Sequence, residues 1–185
     1  MEERFYVGGT IFFIDPEDNG AKYHFYDEVG NELTDVKVGD KPYEYSVEGK
    51  PTKDRFYVFH DEPIGIYCFG NYGKLLGTKT GFGAGKENTK LLLAGEQKPM
   101  SIGKGITLMN QARVANCDDW FVPSKDELQK LIDSRFAKDI FDDEWVWSSS
   151  EYSAQLAWRW YSNSQVWSNH NKTINFYALV GVRAF

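Results

Sequence analysis

From Trp145 to Phe185 large aromatic side chains alternate with Asn, Ser and Gln, and the inner window from Arg159 to Tyr177 contains no acidic residue. Alternation with a period of two fits a strand with two different faces, not a helix. The spacing predicts a strand at Trp145–Ser150 and a pair, Ala157–Tyr161 with Gln165–Trp167, around Ser162-Asn163-Ser164; Phe176–Phe185 is apolar enough for a central strand. If Trp158, Trp160 and Val166 point inward, Arg159, Tyr161, Gln165 and Trp167 share one outward face. Flat aromatic side chains give contact area at low entropic cost, and short amides and hydroxyls give adaptable hydrogen bonding, which is how paratopes are built. The window therefore reads as a binding surface. Its candidate ligand contacts are Tyr152, Gln155, Arg159, Tyr161, Asn163 and Gln165, followed by Trp167, Asn169, His170, Asn171, Asn175 and Tyr177. Lys172 reads as a framework or solvated residue, and Arg183 as a structural ion-pair partner.

The preceding residues read as a scaffold. Thr10–Asp15 is an apolar run closed by Asp15-Pro16, the signature of a strand buried on both faces. Lys22–Asp27 and Glu32–Val38 flank Val29-Gly30-Asn31 and predict a hairpin, with Gly30 free to take the positive φ of a tight turn. Tyr43–Val47 and Arg55–His60 add two more strands, completing an acidic, Tyr-rich antiparallel sheet. Two helices follow. Ile106, Met109, Ala112 and Arg113 fall at helical spacing and place one over Lys104–Ala115. Pro123-Ser124-Lys125-Asp126-Glu127 is a capping box with Ser124 as N-cap, and Leu128, Leu131 and Ile132 form the apolar stripe of the second. Between sheet and helices, Gly81–Thr89 superficially suggests a phosphate cradle. A P-loop needs Gly, four residues, then Gly-Lys-Ser/Thr. Thr80 stands at the first Gly and Glu87 at the Ser/Thr, where a carboxylate repels phosphate. The segment reads instead as a Gly-rich loop ending in a cap, Asn88 or Thr89, ahead of Leu91-Leu92-Leu93.

With 185 residues the chain suits a single domain spanning 1–185. Its net charge of −6, with Lys and Arg dispersed, disfavours nucleic acid and anionic membrane as partners. No apolar run approaches the roughly 18 residues of a membrane span, so no membrane insertion is expected. The first residues lack an apolar core of the signal-peptide kind, and location stays open between a virion and a cell surface. Cys68 and Cys117 read as reduced and buried. Catalysis finds little support. His24, His60 and His170 lack metal-ligand spacing, and neither a CxxC pair nor a Gly-x-Ser-x-Gly elbow is present. No cofactor or metal is expected.

Several phrases, taken in order, resemble a family of C-type-lectin-like domains from bacteria and phages. Asp119-Trp120-Phe121-Val122-Pro123-Ser124-Lys125-Asp126-Glu127-Leu128 is similar to its "DWxLPSxxEL" signature, and Val146–Tyr152 to "YWSSxEY". Ala157-Trp158 matches its "AW", and Val180–Phe185 its closing "VRPVRAF", with Val180-Gly181 in place of "RP". Gly8–Asp15 resembles "GGIIFYxD", and Thr80–Thr89 resembles "TGxGxGKxNT". The resemblance runs from residue 8 to the last residue and matches least over about 21–72, which reads as a β-rich insertion. It implies an α+β C-type lectin fold with mixed and antiparallel sheets, two helices, and paired N- and C-terminal strands. It also implies that Trp120, Trp147 and Trp158 are core residues, while Trp167, among Ser and Asn, is exposed. The calcium motifs of sugar-binding animal lectins are absent, and so is the close cysteine pair of the formylglycine-generating oxidases that share the fold.

Members of this kind include the target proteins of diversity-generating retroelements, in which adenine-directed mutagenesis rewrites a C-terminal stretch on the ligand-facing surface. AAC-type codons mutated at adenine give Asn, Ser, Tyr, His, Thr and Ile; Asn163, Ser164, Asn169, His170, Asn171, Thr173 and Asn175 belong to or neighbour that set. The resemblance thus implies a receptor-recognition module displaying a hypervariable surface to a protein or glycan ligand. A non-variable structural or adhesin component of a virion or cell surface, and a carbohydrate-binding lectin, are the alternatives.

Overall fold

The apolar run at the start of the chain does become a strand, and its partner explains its burial. In a computed structural model that describes residues 2–16, 20–95, 98–136 and 140–185, β2 (Thr10–Ile14) lies antiparallel to β6 (Phe56–Phe59), whose four residues are all buried. A strand that is apolar on both faces demands neighbours on both edges and cover on both sides. β6 obtains them by taking β2 on one edge and β12 (Val182–Ala184) on the other. The terminal strands therefore do not pair with each other, contrary to expectation, because β6 occupies the place between them. Side-chain bonds nevertheless join the chain's two ends. Arg183 Nη1 donates to the carbonyls of Tyr6 and Val7, both at 2.6 Å, and its Nε to Asp119.

The N-terminal strands β1 (Phe5–Tyr6), β3 (Lys22–Tyr26), β4 (Glu32–Leu33) and β5 (Glu44–Glu48) form a four-stranded antiparallel sheet in the order β1-β5-β3-β4. The hairpin expected around Gly30 is present, with Gly30 at φ 88°. The last residue secures this sheet: the Phe185 ring stacks on Tyr45 at 4.1 Å within a cluster that includes Phe25 and Phe56. Residues 21–72 contribute to all three sheets, because β6 is central in one and β7 (Gly65–Tyr67) is the edge of another.

The third sheet carries the C-terminal segment. Its order is β10-β9-β8-β11-β7, with β8 (Trp145–Glu151), β9 (Leu156–Tyr161), β10 (Val166–Asn171) and β11 (Tyr177–Leu179). All its pairings are antiparallel except β11 with β8. Both faces are covered over most of their extent. Val146 and Trp160 face α3 (Lys125–Asp133), through Leu128 and Leu131, and the three-stranded sheet, through Phe12 and Phe59. Trp147, Ala157 and Leu179 face α1 (Gly85–Ala94) and α2 (Ile102–Gln111), through Leu92, Ile106 and Met109. The class is α+β, as expected, with three α-helices among the described residues where two were expected.

The extra helix arises because α1 starts at Gly85, ahead of the predicted caps. Asn88 and Thr89 lie buried inside it. The Asn88 amide bonds both backbone groups of Lys79 and Ser149 Oγ, and Thr89 Oγ1 accepts the Val122 amide at 2.9 Å. α2 ends at Gln111, since Arg113 turns to a left-handed φ of 50° and cannot continue a helix. α3 keeps its capping box: Ser124 accepts from the Glu127 amide, and Glu127 Oε2 accepts from the Ser124 amide at 2.7 Å. Glu127 is itself buried and also accepts from Gly83 N at 3.1 Å, so it bonds both helix α3's start and the turn leading into α1. Cys68 and Cys117 are free and buried.

Two predictions follow from this junction. A Cβ on residue 85 would lie 2.2 Å from Glu127 Oε2 and 2.8 Å from the buried Phe121 ring. Gly85→Ala is expected to lower stability by about 2 kcal/mol, measured by urea denaturation; an unchanged midpoint would refute the packing account. Burial pushes the Glu127 carboxyl up to about 7, against the Ser124 and Gly83 bonds that lower it. Folding therefore holds a proton that the unfolded chain releases near its ordinary value of 4.5. This contribution is complete below that value and fades as pH rises to about 7, a loss of about 3 kcal/mol over the interval. Glu127→Gln should flatten that part of the stability–pH profile; an identical slope in wild type and variant would contradict it.

Candidate functional site

The C-terminal segment forms its surface on a buried polar frame. The tract Ser148-Ser149-Ser150-Glu151 ends β8, and all four side chains are buried. Each finds a backbone partner: Ser148 Oγ donates to Trp158 O, Ser149 Oγ to Pro123 O and Ser150 Oγ to Lys79 O, at 2.8–3.1 Å. Glu151 accepts the amides of Leu76, Gly77 and Thr78, and Lys172 Nζ at 2.7 Å. Both members of that ion pair are buried. Burial alone pushes the Glu151 carboxyl up, but the Lys172 bond and the Leu76 and Thr78 amides outweigh it and hold it below its ordinary value. Lys172 Nζ also donates to Lys74 O at 3.0 Å, and its own amide to Gln155 O at 3.1 Å. Of the two readings of Lys172, framework residue is the one the geometry supports.

On this frame β10 is laid as an outer strand, with every residue from Val166 to Asn171 exposed or half-buried. Its register with β9 pairs Tyr161 with Val166, Trp160 with Trp167, Arg159 with Ser168 and Trp158 with Asn169. Directly opposed residues in an antiparallel pair point to the same face. The single outward face expected for Arg159, Tyr161, Gln165 and Trp167 is thus corrected. Arg159 and Tyr161 lie on one face, Trp167 on the other, and Gln165 sits in the turn at φ 56°. Val166, expected inward, is exposed, and Arg159, expected outward, is buried.

The first face brings together Arg159, Tyr161, His170 and Tyr177 with Trp145. The Arg159 guanidinium lies 3.5 Å from the Trp145 ring centroid and 4.7 Å from that of Tyr177. Trp145 stacks on Tyr161 at 4.6 Å. Tyr177 Oη accepts from Arg159 Nη1 and lies 3.0 Å from His170 Nδ1. Burial, then the Arg159 charge, holds His170 below its ordinary pKa. At the rim Tyr161 Oη donates to Asp143, and Asn163 Nδ2 donates to the same carboxylate at 3.2 Å.

The second face brings together Trp167, Trp158, Tyr152 and Asn169 beside α3. Lys125 Nζ lies 4.3 Å from the Trp158 ring and 5.3 Å from that of Trp167. Trp167 Nε1 donates to Gln129 Oε1 at 2.6 Å, and the ring packs on the core. Trp167 is therefore half-buried and partly structural, not simply exposed. Trp158 is half-buried under Lys125, with exposed Tyr152 edge-on at 5.2 Å, while Trp120 and Trp147 are core as expected. Of the remaining candidates, Asn163 touches only the rim of the first cluster, through Asp143, and the others join neither. Asn163 and Gln165 form the exposed hairpin turn, and Gln155 is exposed at its far end. Asn171 caps Thr173 through its Oδ1, and Asn175 holds a buried amide nitrogen with no hydrogen-bond partner among the described residues.

Trp145, Asp143, Lys125 and Gln129 were not among the sequence candidates. Lys125 and Gln129 sit four apart on the polar side of a capped helix, a spacing that places them on one face; nothing local ties them to Trp167. No helix among the described residues is long and apolar enough to cross a membrane. A scan against protein-family models matches no family, and a search of curated proteins finds no matching relative.

The buried pair sets a prediction. Lys172→Met leaves the Glu151 carboxylate enclosed without its counter-ion and is expected to lower stability by about 3–5 kcal/mol. With Glu151→Gln added, the loss should fall well short of the two single effects summed. Urea denaturation of the four proteins measures this, and strict additivity would argue against the pair.

Proposed function

We propose that this chain is a ligand-recognition module of the C-type lectin kind, displaying its C-terminal hairpin as a diversified surface. The observation that carries the reading is the contrast between adjacent strands. β8 is buried from Val146 to Glu151, whereas no residue of β10 is fully buried. A strand whose side chains are largely free of the core tolerates substitution, because surface changes away from caps, cavities and buried networks shift stability little. The positions whose residue types fit adenine-directed mutagenesis concentrate there and in the turns on either side. The frame residues Glu151, Trp160, Lys172 and Arg183 lie outside that set. The enclosure of β6 between β2 and β12, with Arg183 bonded to the carbonyls of Tyr6 and Val7, brings the two ends of the chain together, which supports a lectin-type reading although the terminal strands do not pair with each other.

The ligand is accordingly a protein or glycan on a target surface, met by Tyr161, the exposed residues 163–165 of the turn and the outer edge of β10. Sequencing the locus and its siblings tests the reading. Differences should concentrate at outward positions between 152 and 177, beside a reverse transcriptase and a near-copy repeat differing at adenines. Siblings that vary as freely at the four frame residues, or a locus with neither element, would refute it. A binding panel of cell-surface proteins and glycans supplies the second measurement: Tyr161→Ala should weaken a hit at least about tenfold if this aromatic is a hot spot, with its thermal midpoint nearly unchanged.

A further inference from the structure

The four-stranded N-terminal sheet borders an open cleft of about 340 Å³, within the range of small-ligand sites and lined by no residue of the C-terminal segment. Its walls include Tyr6 of β1 and Tyr43, which directly precedes β5, together with Leu33 of β4. The two tyrosine rings stand at 84° to each other with centroids 5.4 Å apart, and are 37% and 39% exposed. Backbone bonds hold them in place: the Val7 amide donates to Tyr43 O and the Tyr43 amide to Tyr26 O, both at 2.9 Å. The charged lining is acidic, with Asp27, Glu28 and Asp61 against Lys41 alone. Two of these carboxylates are already engaged. Asp27 accepts the Val29 and Asn31 amides and Asn31 Nδ2 at 2.8–3.0 Å, and Asp61 accepts Thr10 Oγ1 and Lys41 Nζ, both at 2.6 Å. Glu28 is exposed and has no hydrogen bond or ion pair among the described residues. The Tyr6 phenol, burial, and the Glu44 and Glu28 carboxylates push the Tyr43 hydroxyl above its ordinary pKa, so the negative charge of the rim is felt at this ring.

Surplus negative charge beside accessible aromatic rings attracts a cation and repels an anion. The acceptors decide which cation. A primary ammonium carries three N–H donors and loses hydration unless each finds an acceptor; of the carboxylates lining the cleft, only Glu28 is unengaged. A metal ion needs several converging oxygens, and no group of three or more His, Cys, Asp or Glu among the described residues could hold one. A quaternary ammonium has no N–H donor to satisfy. Its methyl groups pack on aromatic rings, and its positive charge is met by the ring quadrupoles and by carboxylates at a distance. We propose that this cleft is a receptor for a quaternary ammonium group, seated against the right-angled rings of Tyr6 and Tyr43 with Glu28 as its counter-charge. The inference is independent of the reading of the C-terminal hairpin as a display surface and stands or falls without it.

The test uses the full chain with ¹³C-labelled tyrosine and follows the ring resonances of Tyr6 and Tyr43, assigned through Tyr6→Phe and Tyr43→Phe, during titration with choline at constant ionic strength. Both resonances should shift saturably. The uncharged isostere of choline, in which a tert-butyl group replaces trimethylammonium, should bind at least about fivefold more weakly, as should ethanolamine, whose N–H donors lack acceptors. Tyr43→Leu is expected to weaken choline about fivefold, and Glu28→Gln about twofold with a smaller effect at high salt, each with its thermal midpoint nearly unchanged. Should Tyr43→Leu lower the midpoint, Glu28→Gln and the comparison of choline with its isostere in the wild type decide. No saturable shift, or equal binding of choline and the isostere, would overturn the proposal. So would ethanolamine or calcium chloride shifting the same rings at lower concentration than choline, which assigns the cleft to hydrogen-bonding cations or to a metal. Two further arms identify the source and leave the receptor standing. N-acetyl-trimethyl-lysine amide binding tighter than choline assigns a methylated protein side chain, and phosphocholine binding tighter assigns a choline headgroup. Choline as the tightest of the three assigns a free metabolite, with phosphocholine the weakest because its phosphate meets the acidic lining.

Discussion

The buried ion pair between Glu151 and Lys172 holds the C-terminal half together. Taking two charges out of water is expensive, and the separation from solvent is offset only when geometry and further hydrogen bonds satisfy both groups. Here the carboxylate gathers three successive loop amides as well as the ammonium, and the ammonium also reaches Lys74 O. The pair therefore fixes three pieces of chain at once, the 74–78 loop, the end of β8 and the connection from β10 to β11, and the Lys172 backbone amide ties in the residue before β9. None of these can drift without exposing a charge to an apolar surround or leaving buried donors unmet. The Phe69 ring, 5.4 Å from Lys172 Nζ, closes the remaining side.

That rigidity explains how a strand as polar as β10 can belong to a sheet with two packed faces. Its backbone is held by β9, and β9 by the enclosed Trp160 and Ala157. The side chains of β10 are consequently relieved of most structural duty, Trp167 being the exception through its bond to Gln129 and its contact with the core. The two aromatic–cation groups on opposite faces of the hairpin differ in the same way. Lys125, between Trp158 and Trp167, reaches from a helix over half-exposed rings, whereas Arg159 lies within the sheet face with its charge enclosed.

Much of the scaffold was legible because its signals are local. The capping box at Ser124 and Glu127 needs only four residues to declare itself, and the strands around 10–14, 22–26, 44–48 and 56–59 fall where their apolar patterns place them. The start of α1 was not legible, because Ala84 offers no capping side chain and the reason for Gly85 is the approach of Glu127 from a distant helix. The division of the site between two faces was also hidden. Alternation gives two sets of side chains on each strand but not which set of one strand matches which set of the next. A four-residue turn pairs Tyr161 with Val166; one residue more or fewer would move Trp167 to the opposite face.

The amino-acid sequence by itself determined the element types, the helix cap, the acid-free aromatic window and the absence of a basic stripe, since each depends on neighbours in the chain or on composition. Tertiary structure alone decided that β6 separates the terminal strands, that Lys172 is sealed against Glu151, and that Arg159 is enclosed between aromatic rings with no acid paired to it among the described residues. These are relations between residues tens of positions apart. Burial and charge pairing are properties of three-dimensional surroundings, and a one-dimensional pattern records the side chains available but not the partners they meet.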